Sequence, residues 1–226
     1  MFYDCESLKT LNLSHFNTSN VTNMHDMFGK CESLTELNLS GWDTSNVTNM
    51  MHMFGHCKAL KELDLSHFNT SKVRNMKTMF IWNLSLVSLD ISSFNTRYVS
   101  DMSHMFCGCE LLTNLDLSSF ITTKVYTMES MFHMCKNLET LDLSSFNTSN
   151  VKSMHSMFGY CYSLTSLDLS NFDLSKIKSI REMFVKCNNL KELNIDMSNL
   201  KNNVDKYNVF GQCQEHIINK FKPYIK

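Results

Sequence analysis

Nine cysteines, nine histidines and a series of regularly spaced aspartates are the residues of this 226-residue chain whose types could do chemistry. Zinc sites use closely spaced pairs such as CxxC. Here eight cysteines (Cys5, Cys31, Cys57, Cys109, Cys135, Cys161, Cys187 and Cys213) recur at intervals of 26 residues or twice that. Only Cys107 and Cys109 stand close together, and no second pair completes a ligand set. No metal and no cofactor are therefore expected. The spacing reads as a column of small, polarisable core residues stacked on their equals. Asn83 takes the cysteine's place in one copy without a compensating change, which argues that bridges between neighbours are not required. Cys107 lies out of register and reads as a candidate exposed thiol. The histidines fall on variable positions and are expected at the surface. No Ser-His-Asp or Cys-His set converges, so no catalytic residue is assigned and an enzyme is not expected.

Aspartate is the more regular signal. Asp64, Asp90, Asp116, Asp142 and Asp168 follow one another every 26 residues, each between two leucines or a leucine and an isoleucine. With the flanking apolar residues pointing inward, the carboxylates project from a strand surface, stacked roughly 5 Å apart. Neighbours at that distance in water repel by roughly 0.8 kcal/mol. The column could hold a basic partner or cations. It could equally be structural, each Asp accepting hydrogen bonds from the serine two residues on or from the backbone. A second candidate surface is the stretch where copies depart from consensus. Ile81-Trp82, Cys107-Gly108 and His133-Met134 occupy a turn that elsewhere mostly carries Gly and a polar residue, and Tyr98 and Tyr126 accompany them. Aromatic residues and Met are what interface centres use. Drift at tolerant loop positions is the competing account.

A repeat must position all of these. Met-Phe occurs at residues 1, 27, 53, 79, 105, 131, 157 and 183, and Val209-Phe210 marks a degenerate ninth copy. The unit reads MFxxCxxLxxLxLSxFxTSxVxxMxx, with MFGKCESLTELNLSGWDTSNVTNMMH at residues 27–52 close to ideal. Such a unit cannot bury its apolar positions alone, so copies must stack. Leu37 and Leu39 alternate with polar residues, the period-two sign of a short strand. Val47, Met50, Phe54 and Cys57 are spaced like a helix face, with Thr44-Ser45 as an N-cap and Gly29, Gly55, Gly159 and Gly211 as left-handed C-caps. The expectation is thus an α/β solenoid of about nine coils, with short parallel strands on one face and short helices on the other, spanning roughly 40 Å at a strand spacing of about 4.8 Å.

Composition narrows the function. Lys plus Arg number 21 against 22 Asp plus Glu, which argues against a non-specific nucleic-acid binder or a polybasic membrane-surface domain. No apolar run approaches the roughly 20 residues of a spanning helix. The segment MFYDCESLKT shows no secretory signal, and copy one starts in register, as a repeat methionine inside a longer parent chain would.

The LxxLxL core at Leu34, Leu37 and Leu39 resembles the leucine-rich-repeat signature. Together with MFxxC, LxLSxF and TSNVTNM it resembles the 26-residue bacterial surface-protein repeat of the BspA-like leucine-rich-repeat family, over residues 1–196. The resemblance implies a right-handed solenoid, a bacterial surface, lipoprotein or secreted setting, and a non-enzymatic protein-interaction module in adhesion or host-protein binding, for example of matrix or serum proteins. It carries no shared catalytic residues. The alternative is a stalk or antigenic coat repeat without a specific ligand. Residues 197–226 depart from the pattern and are expected as a degenerate last repeat and an amphipathic cap helix, with Phe210, Cys213, Ile217 and Phe221 on one face and Pro223 as its stop.

Overall fold

The computed structural model describes residues 1–225 as a pile of 26-residue coils, each lying on the next in register. Six three-residue strands mark the leucine segment: β1 (Thr10–Asn12), β2 (Glu36–Asn38), β3 (Glu62–Asp64), β4 (Ser88–Asp90), β5 (Ser166–Asp168) and β6 (Glu192–Asn194). They pair in parallel as β1-β2, β3-β4 and β5-β6, and every partner is the residue 26 positions on, as in Leu63↔Leu89. Coils five and six keep the path through this segment without regular pairing. A second column of parallel bridges runs through all eight coils, from Asn23↔Asn49 to Ser179↔Asp205.

The face opposite the strands carries turns, and the short helices expected there do not form. The reason lies in the backbone. Sixteen non-glycine residues have left-handed φ, and they recur at two places in the coil: just before Met-Phe (Asp26, His52, Thr78 and their equivalents) and two residues after it (Lys30, His56, Trp82 and theirs). A left-handed residue ends a right-handed helix. The amides that a helix would send four residues back go instead to the neighbouring coil. Met24 N bonds Asn49 O (2.9 Å), Asp26 N bonds Met51 O (3.1 Å), Phe28 N bonds Met53 O (2.9 Å) and Lys30 N bonds Gly55 O (2.7 Å). Each left-handed residue costs on the order of 1 kcal/mol, offset by the inter-coil hydrogen bonds that partner these buried amides. The 3-4-3 spacing of Val47, Met50, Phe54 and Cys57 is the inward rhythm of consecutive tight turns. Of the glycines expected as left-handed caps, none has positive φ; the left-handed residue is the one that follows.

Gly108 is the one glycine with positive φ, at 76°. A Cβ there would stand 2.5 Å from Cε3 of Trp82, so the indole lies against the bare backbone of the next coil.

Side-chain ladders complete the stacking. Nine phenylalanines from Phe2 to Phe210 stack with centroids 5.3 to 5.8 Å apart. Phe221, from the single helix α1 (Glu215–Phe221), extends that column at 5.2 Å. The cap helix is therefore present but begins at Glu215. Phe210 and Cys213 belong to the coil it covers, while Ile217 and Phe221 are buried from the helix side.

Thr44, expected as a helix cap, is instead one of a column of inter-coil staples. Thr70 Oγ1 donates to Asn95 O (3.1 Å) and accepts from Asn95 N (2.7 Å), and Thr44, Thr96, Thr122 and Thr148 do the same with the coil that follows. The hydroxyl serves as donor and acceptor where the two backbones do not meet. These threonines are 2% exposed or less, so losing the hydroxyl strands two backbone groups away from water. Thr70→Val keeps the shape and should lower unfolding stability by about 2–3 kcal/mol, whereas Thr70→Ser should recover much of it; urea unfolding of the two variants checks this.

Candidate functional site

The regular coil decides where each chemically capable side chain lies. The eight in-register cysteines form a column, but their arrangement is more specific than core filling. Each thiol from Cys31 onward donates to a phenylalanine carbonyl of the preceding coil, as in Cys57 Sγ to Phe28 O (3.2 Å) and Cys161 Sγ to Phe132 O (3.1 Å). The same contact is made by Cys31, Cys109, Cys135, Cys187 and Cys213. A small side chain with a weak donor is what this carbonyl needs, and the period alone could not reveal that role. All nine cysteines are free thiols. Burial pushes the thiols from Cys31 onward up, Cys161 to about 12 and Cys213 to about 11, which keeps them protonated and poor nucleophiles. Cys107, expected as an exposed thiol, is 4% exposed and is itself pushed up to about 12 by burial. The Trp82 indole laid on adjacent Gly108 covers this turn.

At the fourth place in the column, Asn83 is fully buried and donates from Nδ2 to Phe80 O in its own coil (3.0 Å). Its Oδ1 has no partner.

The aspartate column stands exposed along the strand face. Asp64, Asp90, Asp116, Asp142 and Asp168 each accept, at Oδ1, the amide of the serine two residues on (2.9 to 3.0 Å). Asn12 and Asn38 make the same turn in the first two coils. The carboxylate thus holds the corner that follows the strand, and the Asx geometry explains why the repeat accepts Asp or Asn there. Hydrogen bonds from Ser66 hold the Asp64 carboxyl below the usual range, and those from Ser118, Ser144 and Ser170 do so for Asp116, Asp142 and Asp168. These four carboxylates are therefore charged at neutral pH.

The consensus-breaking residues occupy two different turns. Ile81, Trp82, His133 and Met134 are half-buried on the turn after Met-Phe, where Tyr160 and Tyr162 in the next coil add to the row. The His133 and Tyr160 rings meet edge to face at 5.1 Å, and Tyr160 and Tyr162 at 6.1 Å. Tyr98 and Tyr126 lie on another turn and are 39% and 45% exposed. Lys124 Nζ sits 4.4 Å from the Tyr98 ring centroid, and the Tyr126 hydroxyl donates to Asp101 Oδ2 at 3.4 Å. Sequence reasoning had no signal for Tyr160 joining the row, because Tyr at that place differs little from the other polar occupants.

Several histidines are not free at the surface as expected. His52 pairs with Asp26, which His25 also contacts at 2.9 Å. Burial lowers the affinity of His56, His104 and His133 for a proton, and His133 Nδ1 is buried without a partner. Among the described residues no three His, Cys, Asp or Glu side chains come together as a metal site. Nor is any described helix long and apolar enough to cross a membrane.

With this geometry in view, the comparisons with known proteins place the chain. The family described as "Mycoplasma protein of unknown function, DUF285" matches residues 1–114 and again 109–221. The chain belongs to it. That the family description fits twice end to end agrees with the DUF285 chain being one uninterrupted series of coils. No curated protein matches. Among solved structures the chain is similar to a leucine-rich repeat protein from Bacteroides ovatus, with 14% identity over 94% of this chain and 66% of that one, at a TM-score of 0.39. It is also similar to a leucine rich cell surface protein from Faecalibacterium prausnitzii, with 17% identity over 86% and 75% of the two chains and a TM-score of 0.34. A T. pallidum leucine-rich repeat protein shows 16% identity over 99% and 73%, with a TM-score of 0.25.

Two outcomes follow from the polar contacts. Asn83→Cys should restore the thiol-to-carbonyl bond toward Phe54, remove a stranded acceptor and stabilise the DUF285 chain by about 1–2 kcal/mol, read as a rise in the thermal midpoint. Histidines whose folded proton affinity is lowered leave the unfolded chain holding more protons as pH falls below about 6.5. Thermal stability should therefore decline from pH 7 to 5, and fall again below pH 4 as Asp64, Asp116, Asp142 and Asp168 protonate. His133→Val, the residue type at the equivalent Val185, should flatten the first decline and leave the second.

Proposed function

We propose that this chain is a non-enzymatic protein-recognition module of a bacterial surface or secreted protein, acting in adhesion or in binding a host matrix or serum protein. The observation that carries the reading is the row of aromatic and Met side chains on one turn of coils four to seven. Trp82, Met134, Tyr160 and Tyr162 lie there outside the buried core, on a backbone immobilised by inter-coil hydrogen bonds. A binding surface that is ordered before the partner arrives loses little freedom on association. Trp and Tyr supply large contact area with few rotatable bonds. The surface setting rests on the resemblance of the repeat to BspA-like sequences, and the aspartate column supplies a charged flank for a basic region of the partner.

Pull-down from matrix and serum proteins, followed by affinity measurement on the captured protein, tests the reading. Trp82→Ala should weaken that binding by about 2 kcal/mol, roughly thirtyfold in Kd, with the chain still folded at the assay temperature although the indole's packing on Gly108 is lost. If Trp82→Ala, Met134→Ser and Tyr162→Ser all leave attachment untouched, the turn row is not the contact and a spacer role is the better reading.

A further inference from the structure

The near-zero net charge conceals a separation of charge within each coil. On the strand face, Asp64, Asp90, Asp116, Asp142 and Asp168 place one exposed carboxylate on each of coils three to seven. Lys61 and Lys191 border that strip at its two ends. Beyond the turns that Phe68 N closes on Leu65 O and Val73 N closes on Thr70 O, the same five coils carry exposed cations. These are Lys72 and Arg74 in coil three, Arg97 in four, Lys124 in five, Lys152 in six, and Lys176 and Lys178 in seven. Among the described residues none of these seven lies within 4.0 Å of a carboxylate, and no ion pair joins the two strips. Asp101, at the border of the basic strip, is engaged by Lys77 at 4.0 Å and by the Tyr126 hydroxyl.

The two strips run together through coils three to seven. At the column position coils one and two have Asn12 and Asn38, with exposed Glu36 beside Asn38 and Asp43 on the other flank of coil two, and coil eight carries Glu192 and Asp196 on the strand face and Lys201 on the other flank. Acid and base thus share coils three to seven, and extend into coil eight, at the same pitch, because one backbone spaces both. A second copy of the chain, built at the same pitch, offers a strip of opposite charge to each of the two at once. We propose that the chain associates side by side with a second copy of itself, the acidic strip of one seated coil for coil on the basic strip of the next. Column carboxylates use Oδ1 for the serine amide and make no hydrogen bond through Oδ2 among the described residues, so each retains an acceptor for a lysine or arginine. Tyr98, held between Lys124 at 4.4 Å and Arg74 at 5.6 Å, and Tyr126 supply apolar contact at the centre of the basic strip. Because the two surfaces differ, the contact is heterologous, and further copies can add to form a row.

Sedimentation velocity of the full chain tests the proposal. Concentration-dependent association is expected at about 20 mM NaCl and should vanish at about 500 mM, where the screening length falls to a few ångströms. Two variants should each weaken it about tenfold or more: Lys124→Glu with Lys152→Glu, and Asp90→Asn with Asp116→Asn and Asp142→Asn. The asparagines preserve the turn that Asn12 and Asn38 make naturally, and unchanged thermal midpoints confirm folding. Mixing the two variants should restore association, limited to 1:1 pairs, since one keeps its acidic strip and the other its basic strip. A wild-type chain that stays monomeric at low salt overturns the proposal, as does a mixture that fails to associate. A monomer that binds dextran sulfate would assign the basic strip to a polyanion and likewise overturn it.

Discussion

Every other feature of the structure depends on the hydrogen bonds that one coil sends to the next. At the turns around Met-Phe, alternate amides reach carbonyls one position earlier in the following coil, as Phe80 N does to Met105 O at 2.9 Å. The bonds demand that residues 26 apart superpose, which explains the absence of insertions between Met1 and Phe210. One added residue would displace the Phe, Cys, Thr and Met columns together, stranding the ladder on one side of the insertion. The same constraint holds residues as unlike as Thr78, Trp82 and Glu182 in left-handed conformations.

The polar columns are as structural as the apolar ones. Thiol, hydroxyl, carboxamide and carboxylate side chains each meet backbone groups at the corners of the coil: Cys a phenylalanine carbonyl, Thr the amide and the carbonyl of one residue in the next coil, and Asn or Asp the amide two residues on. A coil that changes direction at several corners exposes backbone groups at each, and buried ones must be partnered. The repeat motif is largely the list of side chains that satisfy them. What is left for function lies outside these columns, on turn positions and flanks where side-chain identity changes from coil to coil without touching the ladder.

How much was legible in the residues follows the same division. The pile of coils, the strand leucines, the Phe column and the covering helix could all be read from spacing, since burial repeats with the period. The short helices could not be told from tight turns, because both bring apolar residues inward every three or four positions. Only the position of the amides' partners separates the two, and those partners lie 25 residues away. Cys107 was misplaced for a related reason: its exposure depends on the Trp82 ring, which belongs to the preceding coil and rests on Gly108.

Sequence alone therefore determined the period, the stacking and the inventory of exposed and buried columns, because each is a property of a single unit multiplied. Tertiary structure decided the left-handed turns, the thiol and hydroxyl bonds between coils, and the separation of Tyr98 and Tyr126 from Trp82 and Met134. Those depend on where one coil's atoms fall against the next, a distance in space that no spacing along the chain encodes.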